Sequence, residues 1–119
     1  MNSTSIRNQG EPKEAVIQKR IIEALQIRGW ECMVTHGNMF QKGFPDLYIF
    51  RRPEGSRWVE VKRPNKWRFT SAQINWFHKM AAAGIGIWVL MGHEQSEIDK
   101  LYKAPNWYLF LDIIKELSK

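Results

Sequence analysis

A mixed β-sheet flanked by helices, with elements in the order α-β-β-β-α-β-α, is the α/β fold this sequence predicts. Three features carry that reading. Apolar residues recur at helical spacing in three segments, and four short runs rich in β-branched and aromatic residues lie between them. Two of those runs, Asp46–Phe50 and Arg57–Lys62, are separated only by Arg51-Arg52-Pro53-Glu54-Gly55-Ser56, whose Pro and Gly suit a tight return. The 119 residues suffice for one hydrophobic core. We expect residues 1–10 to be a flexible lead-in and residues 11–119 to form a single domain.

From Pro12 to Arg28, the residues Ile17, Ile21, Ala24 and Leu25 share a helical face; Pro12 suits a first turn and Gly29 ends the run. "WECMVT", residues 30–35, reads as the first strand, and Gly37-Asn38 opens a polar loop that runs to Gly43. The hairpin strands follow. Thr70-Ser71-Ala72-Gln73 then matches a capping box, with Phe69 and Ile74 placed to form the hydrophobic staple around it, so a helix is expected over about 71–83. Gly84 stops it, and "IGIWVL", residues 85–90, is a short apolar strand of the kind buried in a sheet. A short helix from Ser96 is expected next. Asn106 is placed to cap a last amphipathic helix, Trp107 to Leu117.

Lys and Arg number 18 against 12 Asp and Glu, a net charge of +6, which favours a polyanionic partner. Much of the excess gathers at Lys42, Arg51, Arg52, Arg57, Lys62, Arg63, Lys66 and Arg68, interleaved with Trp58, Trp67 and Phe69. The lone cysteine, Cys32, excludes an intrachain disulfide and a cysteine-based zinc site. His36, His78 and His93 are too scattered to form a ligand pair at helical spacing. No apolar run approaches the roughly 20 residues of a membrane span, and the opening MNSTSIRNQG has no hydrophobic signal core. A soluble, cytoplasmic protein with no membrane partner is expected.

The hairpin poses the chemical question. Its first strand opens on Asp46, and its second carries Glu60 and Lys62 among apolar residues. Side chains alternate along a strand, so Glu60 and Lys62 share one face while Val59 and Val61 share the other. If the hairpin turns about Glu54, Asp46 lies opposite Lys62 and is a diagonal neighbour of Glu60, roughly 7–8 Å away. A one-residue slip would send Asp46 to the other face. Two carboxylates so placed can share a divalent cation, with the backbone carbonyl of Val61 as a third hard oxygen of the kind magnesium or manganese prefers. Such a site suits phosphodiester hydrolysis: the ion activates water and polarises the phosphate, while Lys62 supplies a cation where charge builds up. Singly, these residues read as a turn aspartate and a solvated ion pair. Together they place like charges side by side, which costs stability unless a cation relieves it.

Gly43-Phe44-Pro45-Asp46-Leu47, then Glu60-Val61-Lys62-Arg63-Pro64, then Gln73 in the next helix, resembles the PD-(D/E)XK nuclease superfamily, and more narrowly its VRR-NUC branch with its small stand-alone viral and bacterial members. The resemblance spans roughly residues 12–91. It implies a restriction-endonuclease-like fold and a nuclease centre of Asp46, Glu60 and Lys62 that uses Mg2+ or Mn2+. It also implies a glutamate from the first helix, matched by Glu14, whose 14, 18, 21, 25 spacing with Gln18, Ile21 and Leu25 turns it toward the sheet. Gln73 would contact Lys62, the nucleophilic water or substrate while also closing the capping box. Lys42, Arg63, Lys66 and Arg68 are candidates for DNA phosphates, and Trp67 for stacking on an unpaired base.

The expected function is a metal-dependent DNA endonuclease. No helix-turn-helix or zinc finger is evident, so recognition of branched or four-way junction DNA is expected rather than of base sequence. Symmetric cutting of two strands calls for two sites, hence a homodimer. Resemblance to compact viral members suggests a phage source and a host-cell cytoplasm. The alternatives are a non-catalytic nucleic-acid-binding module of the same fold, a flap or single-strand nuclease, and a structural dimerisation protein, the last giving no reason for three inward charges.

Overall fold

The computed structural model describes residues 10–35 and 42–117. Most of the expected lead-in and His36 lie outside them. Helix α1 (Glu14–Ile27) is followed by β1 (Glu31–Val34), β2 (Leu47–Arg51), β3 (Gly55–Val61), α2 (Ser71–Ala82), β4 (Ile87–Leu90), the short α3 (Gln95–Ile98) with a 3-10 turn (Asp99–Tyr102), and α4 (Trp107–Leu117). The expected order is observed, and the sheet is mixed. Strands run β1-β2-β3-β4, with the first two pairings antiparallel and β3–β4 parallel. The parallel pair needs a crossover, and α2 supplies it. Among the described residues no helix is long and apolar enough to cross a membrane.

Strand parity sorts the residues into two cores. Ile17, Ile21 and Leu25 of α1 bury their stripe against Leu47, Ile49, Val59 and Val61, with Ile98 and Leu101 closing the same cluster. On the other face, Phe77 and Met80 of α2 and Trp107 of α4 pack on Ile87 and Val89. Phe69 and Ile74, the staple pair, join this second cluster. The Asp46–Glu60–Lys62 face is therefore the α2 side of the sheet.

The hairpin register differs from expectation by two residues. Leu47 faces Val59 and Arg51 faces Gly55, so the connection is Arg52-Pro53-Glu54, centred on Pro53 rather than Glu54. Gly55 closes it at φ 86°, a backbone conformation that glycine adopts freely. The even shift preserves every side chain's face, and continued one residue it sets Asp46 directly opposite Glu60.

Asn106 also departs from its expected role. Its carboxamide turns away from α4 to β4, accepting from Val89 N–H at 2.6 Å and donating to Val89 C=O at 3.0 Å. β4 is an edge strand, and these two bonds satisfy backbone groups that its open side would leave unpaired.

Gly43 carries the approach to the site. It sits at φ 91°, and a Cβ there would lie 2.5 Å from the Ala72 carbonyl oxygen in the first turn of α2. Gly43→Ala is expected to lower stability by at least about 1–2 kcal/mol from backbone conformation alone, with a further loss from the clash, read as a lower denaturation midpoint in urea.

Candidate active site

Asp46 sits where the β2–β3 ladder gives way to side-chain bonding. Beyond the Leu47–Val59 pair, the backbone N–H of Asp46 donates to Glu60 Oε1 at 3.2 Å, and the N–H of Val61 donates to Asp46 Oδ2 at 2.8 Å. Each carboxylate thus satisfies a backbone donor of the opposite strand. The Pro45–Asp46 segment is fixed from β1's side: Thr35 N–H donates to the Asp46 carbonyl at 2.9 Å, and Thr35 Oγ1 donates to the Pro45 carbonyl. α1 contributes Glu14 from its first turn. Ligand oxygens of Glu14, Asp46 and Glu60 lie within 4.8 Å of one another.

Lys62 is held beside this triad. Its ammonium lies 2.9 Å from Glu60 Oε2 and 3.1 Å from Gln73 Oε1, and 4.6 Å above the Phe69 ring. Gln73 closes the network by donating to Glu60 Oε2 at 2.7 Å. It also completes the capping box of α2: Thr70 Oγ1 accepts from Gln73 N–H, while Gln73 Oε1 accepts from Thr70 N–H. The capping box and the contacts with Glu60 and Lys62 coexist, because the cap fixes the amide that bonds both side chains. Thr70→Ala is expected to cost about 1 kcal/mol of stability, measured by chemical denaturation.

Glu60 is fully buried and Lys62 nearly so. Burial, reinforced by Asp46 and only partly opposed by Lys62, pushes the Glu60 carboxyl up to about 8. Burial also raises Glu14, with Lys62 pulling it back and Asp46 pushing it further up. Three carboxyls crowded in a low-dielectric corner resist simultaneous ionisation, and a divalent cation among them removes that resistance. A raised folded pKa means that the folded state holds its proton more tightly than the unfolded chain. The contribution of Glu60 to stability without metal is therefore complete below its ordinary value of 4.5 and is lost as pH rises toward 8. Thermal denaturation in EDTA is expected to show Tm falling across that range, with Glu60→Gln flattening the fall.

The basic candidates divide. Lys42, Lys66 and Arg68 are exposed. Arg63 is engaged: Nε lies 3.3 Å from Glu11 Oε2, and Nη2 donates to the Glu11 carbonyl at 2.9 Å, while Glu11 Oε1 accepts from Asn65 N–H. Trp67 is half-buried, with its ring edge-on to Phe69 and Phe110. Trp76 is 38% exposed and belongs to neither core cluster. Glu11 and Thr35 escaped sequence reasoning. Their partners lie far along the chain, and no local motif marks them.

A family model described as the VRR-NUC domain matches residues 8–94. A solved structure described as a VRR_NUC domain matches with a TM-score of 0.60 and 24% identity, over 75% of this chain and 92% of its own. At that identity the likeness speaks for the fold. No curated protein matches.

Proposed function

Because the chain belongs to the VRR-NUC domain family, a nuclease-type family, we propose that it is a metal-dependent DNA endonuclease that hydrolyses phosphodiester bonds in branched or four-way junction DNA as a homodimer. The observation that carries the reading is the convergence of Glu14, Asp46 and Glu60 beside the buried Lys62. An all-carboxylate oxygen set fits Mg2+ or Mn2+, with the Val61 carbonyl as a further hard oxygen. Such an ion, when bound, supplies Lewis-acid polarisation of the phosphate and an acidified water.

The chain's own residues do the rest. Asp46 and Glu60 are held rigidly by backbone donors and by Gln73, so they lose little freedom on loading. Glu14 reaches in from another element, and its raised pKa suits it to hold a water by hydrogen bond. Lys62, fixed by Glu60 and Gln73, places a cation where charge develops on the attacked phosphate. Lys42, Lys66 and Arg68 supply exposed charge for phosphates along the strand. The ion pair with Glu11 gives Arg63 a second duty, fastening the segment after Lys62 to the start of α1. The outward residues Tyr108, Leu109 and Ile113 of α4, past the family match, offer apolar surface for the partner subunit.

The test is cleavage of labelled four-way junction, flap, single-stranded and linear duplex DNA with Mg2+, Mn2+ or EDTA. Metal-dependent cutting with paired symmetric nicks in the junction is expected. Binding without cutting under every ion would favour the non-catalytic module, and preferential cutting of the flap or single strand would favour that alternative.

A further inference from the structure

Five aromatic rings form an unbroken stripe on the α2 side of the sheet. Trp76 meets Phe44 at 5.0 Å between ring centroids, Phe44 meets Trp58 at 6.3 Å, Trp58 meets Tyr48 at 4.7 Å, and Tyr48 meets Phe50 at 6.3 Å. Helices α2 and α4 pack on Ile87 and Val89 of β4 on this face, and the stripe runs from Trp76 of α2 by way of Phe44 to Trp58 of β3 and on to Tyr48 and Phe50 of β2. Trp76 and Phe50 at its ends are 38% and 42% exposed, and the three rings between them are half-buried. The middle of the stripe adjoins the carboxylates: Tyr48 is the next residue on Asp46's face of β2, and Trp58 the next on Glu60's face of β3.

We propose that this stripe is a stacking platform for unpaired bases of a nucleic-acid strand whose backbone enters the carboxylate site. The inference rests on the nuclease reading and deepens it by assigning unpaired bases, at the branch, to the strand beside the scissile bond. From Asp46 to Phe50 the strand rises roughly 13 Å, the reach of about three or four bases at ~3.4 Å spacing. Cations border the rings. Lys42 is exposed just before Phe44, the Lys79 ammonium lies 5.3 Å from the Trp76 ring centre, and Arg52 is exposed beyond Phe50. Glu31, opposite Phe50, is the carboxylate that β1 places on this face.

That basic border distinguishes the occupant. A second copy docked by a two-fold axis would set this cation-bordered patch against an identical one, whereas a strand brings phosphates to the cations and bases to the rings. The rings are also tilted 45–71° to one another, leaving separate faces and edges rather than one flat apolar sheet.

The test measures binding in EDTA, where cleavage does not intervene, by fluorescence anisotropy of a labelled thymidine octamer and of an octamer with abasic sites throughout. Wild type is expected to prefer the base-bearing strand about tenfold. Trp76→Ala and Phe50→Ala should each lose most of that preference, and Trp76→Phe should retain it; Trp76 lies outside both core clusters, so its removal spares the fold. Equal binding of the two octamers by wild type overturns the proposal, as does an unchanged preference in both alanine variants. Loss of a dimer mass in Trp76→Ala with base preference intact would assign the face to a second copy and also overturn it. Failure of the wild type to cut any DNA would refute the nuclease reading separately, because the base preference is read without catalysis.

Discussion

Asp46→Asn is expected to lower DNA cleavage by about a thousandfold or more while leaving the fold intact. The carboxamide oxygen still accepts the Val61 N–H that Asp46 Oδ2 accepts at 2.8 Å, so the junction of β2 and β3 keeps its cross-strand bond. What is lost is a negative ligand at the centre of the triad, and several kcal/mol of transition-state charge stabilisation go with it. Asp46 also helps to raise the Glu60 carboxyl, so its neutralisation removes a repulsion that the metal-free protein bears. Activity and stability should therefore move in opposite directions. In EDTA at pH 8, Tm of the variant should equal or exceed that of wild type, and added Mn2+ should raise Tm of wild type far more than that of the variant. A variant that is both inactive and much less stable in EDTA would mark Asp46 as a structural residue.

Lys62→Met should produce the opposite pattern. It removes the partner of a fully buried glutamate, and breaking a buried pair from one side costs about 3 kcal/mol or more when the remaining charge stays ionised. Glu60 can escape by keeping its proton, which its raised pKa already favours. The loss should accordingly be large at pH 8 or above and small at pH 5, where the main remaining change is the contact with Phe69. Urea denaturation at the two pH values reads this directly. Cleavage should fall by about a hundredfold or more even where the protein is fully folded, because the cation beside the phosphate is gone. A pH-independent stability loss would show that Lys62 acts through packing alone.

Several parts of this arrangement are legible in the sequence because they depend on local periodicity. Val59 and Val61 alternate with Glu60 and Lys62, so the split between a core face and a charged face needs no structure to be seen. The capping box around Gln73 is equally local. The register of the hairpin is less so, since centring the turn on Glu54 or on Pro53 leaves the same residues on the same face. Only the observed pairing sets Asp46 across from Glu60 instead of Lys62. The Asn106 carboxamide is drawn to the open edge of β4, a feature fixed by strand order rather than by the sequence around Asn106. The exposure of Trp76 likewise depends on how much of the sheet α2 and α4 cover. The clamp of Glu11 on Arg63 joins segments 52 residues apart and has no local signature.

Calorimetric titration with Mn2+ at pH 7 shows whether Glu14, Asp46 and Glu60 form a divalent-cation site. Saturable binding by wild type is expected, accompanied by proton release because burial pushes the Glu60 carboxyl up to about 8, and a loss of that binding is expected in Asp46→Asn. The absence of saturable binding, or binding of equal strength in the two proteins, would contradict such a site.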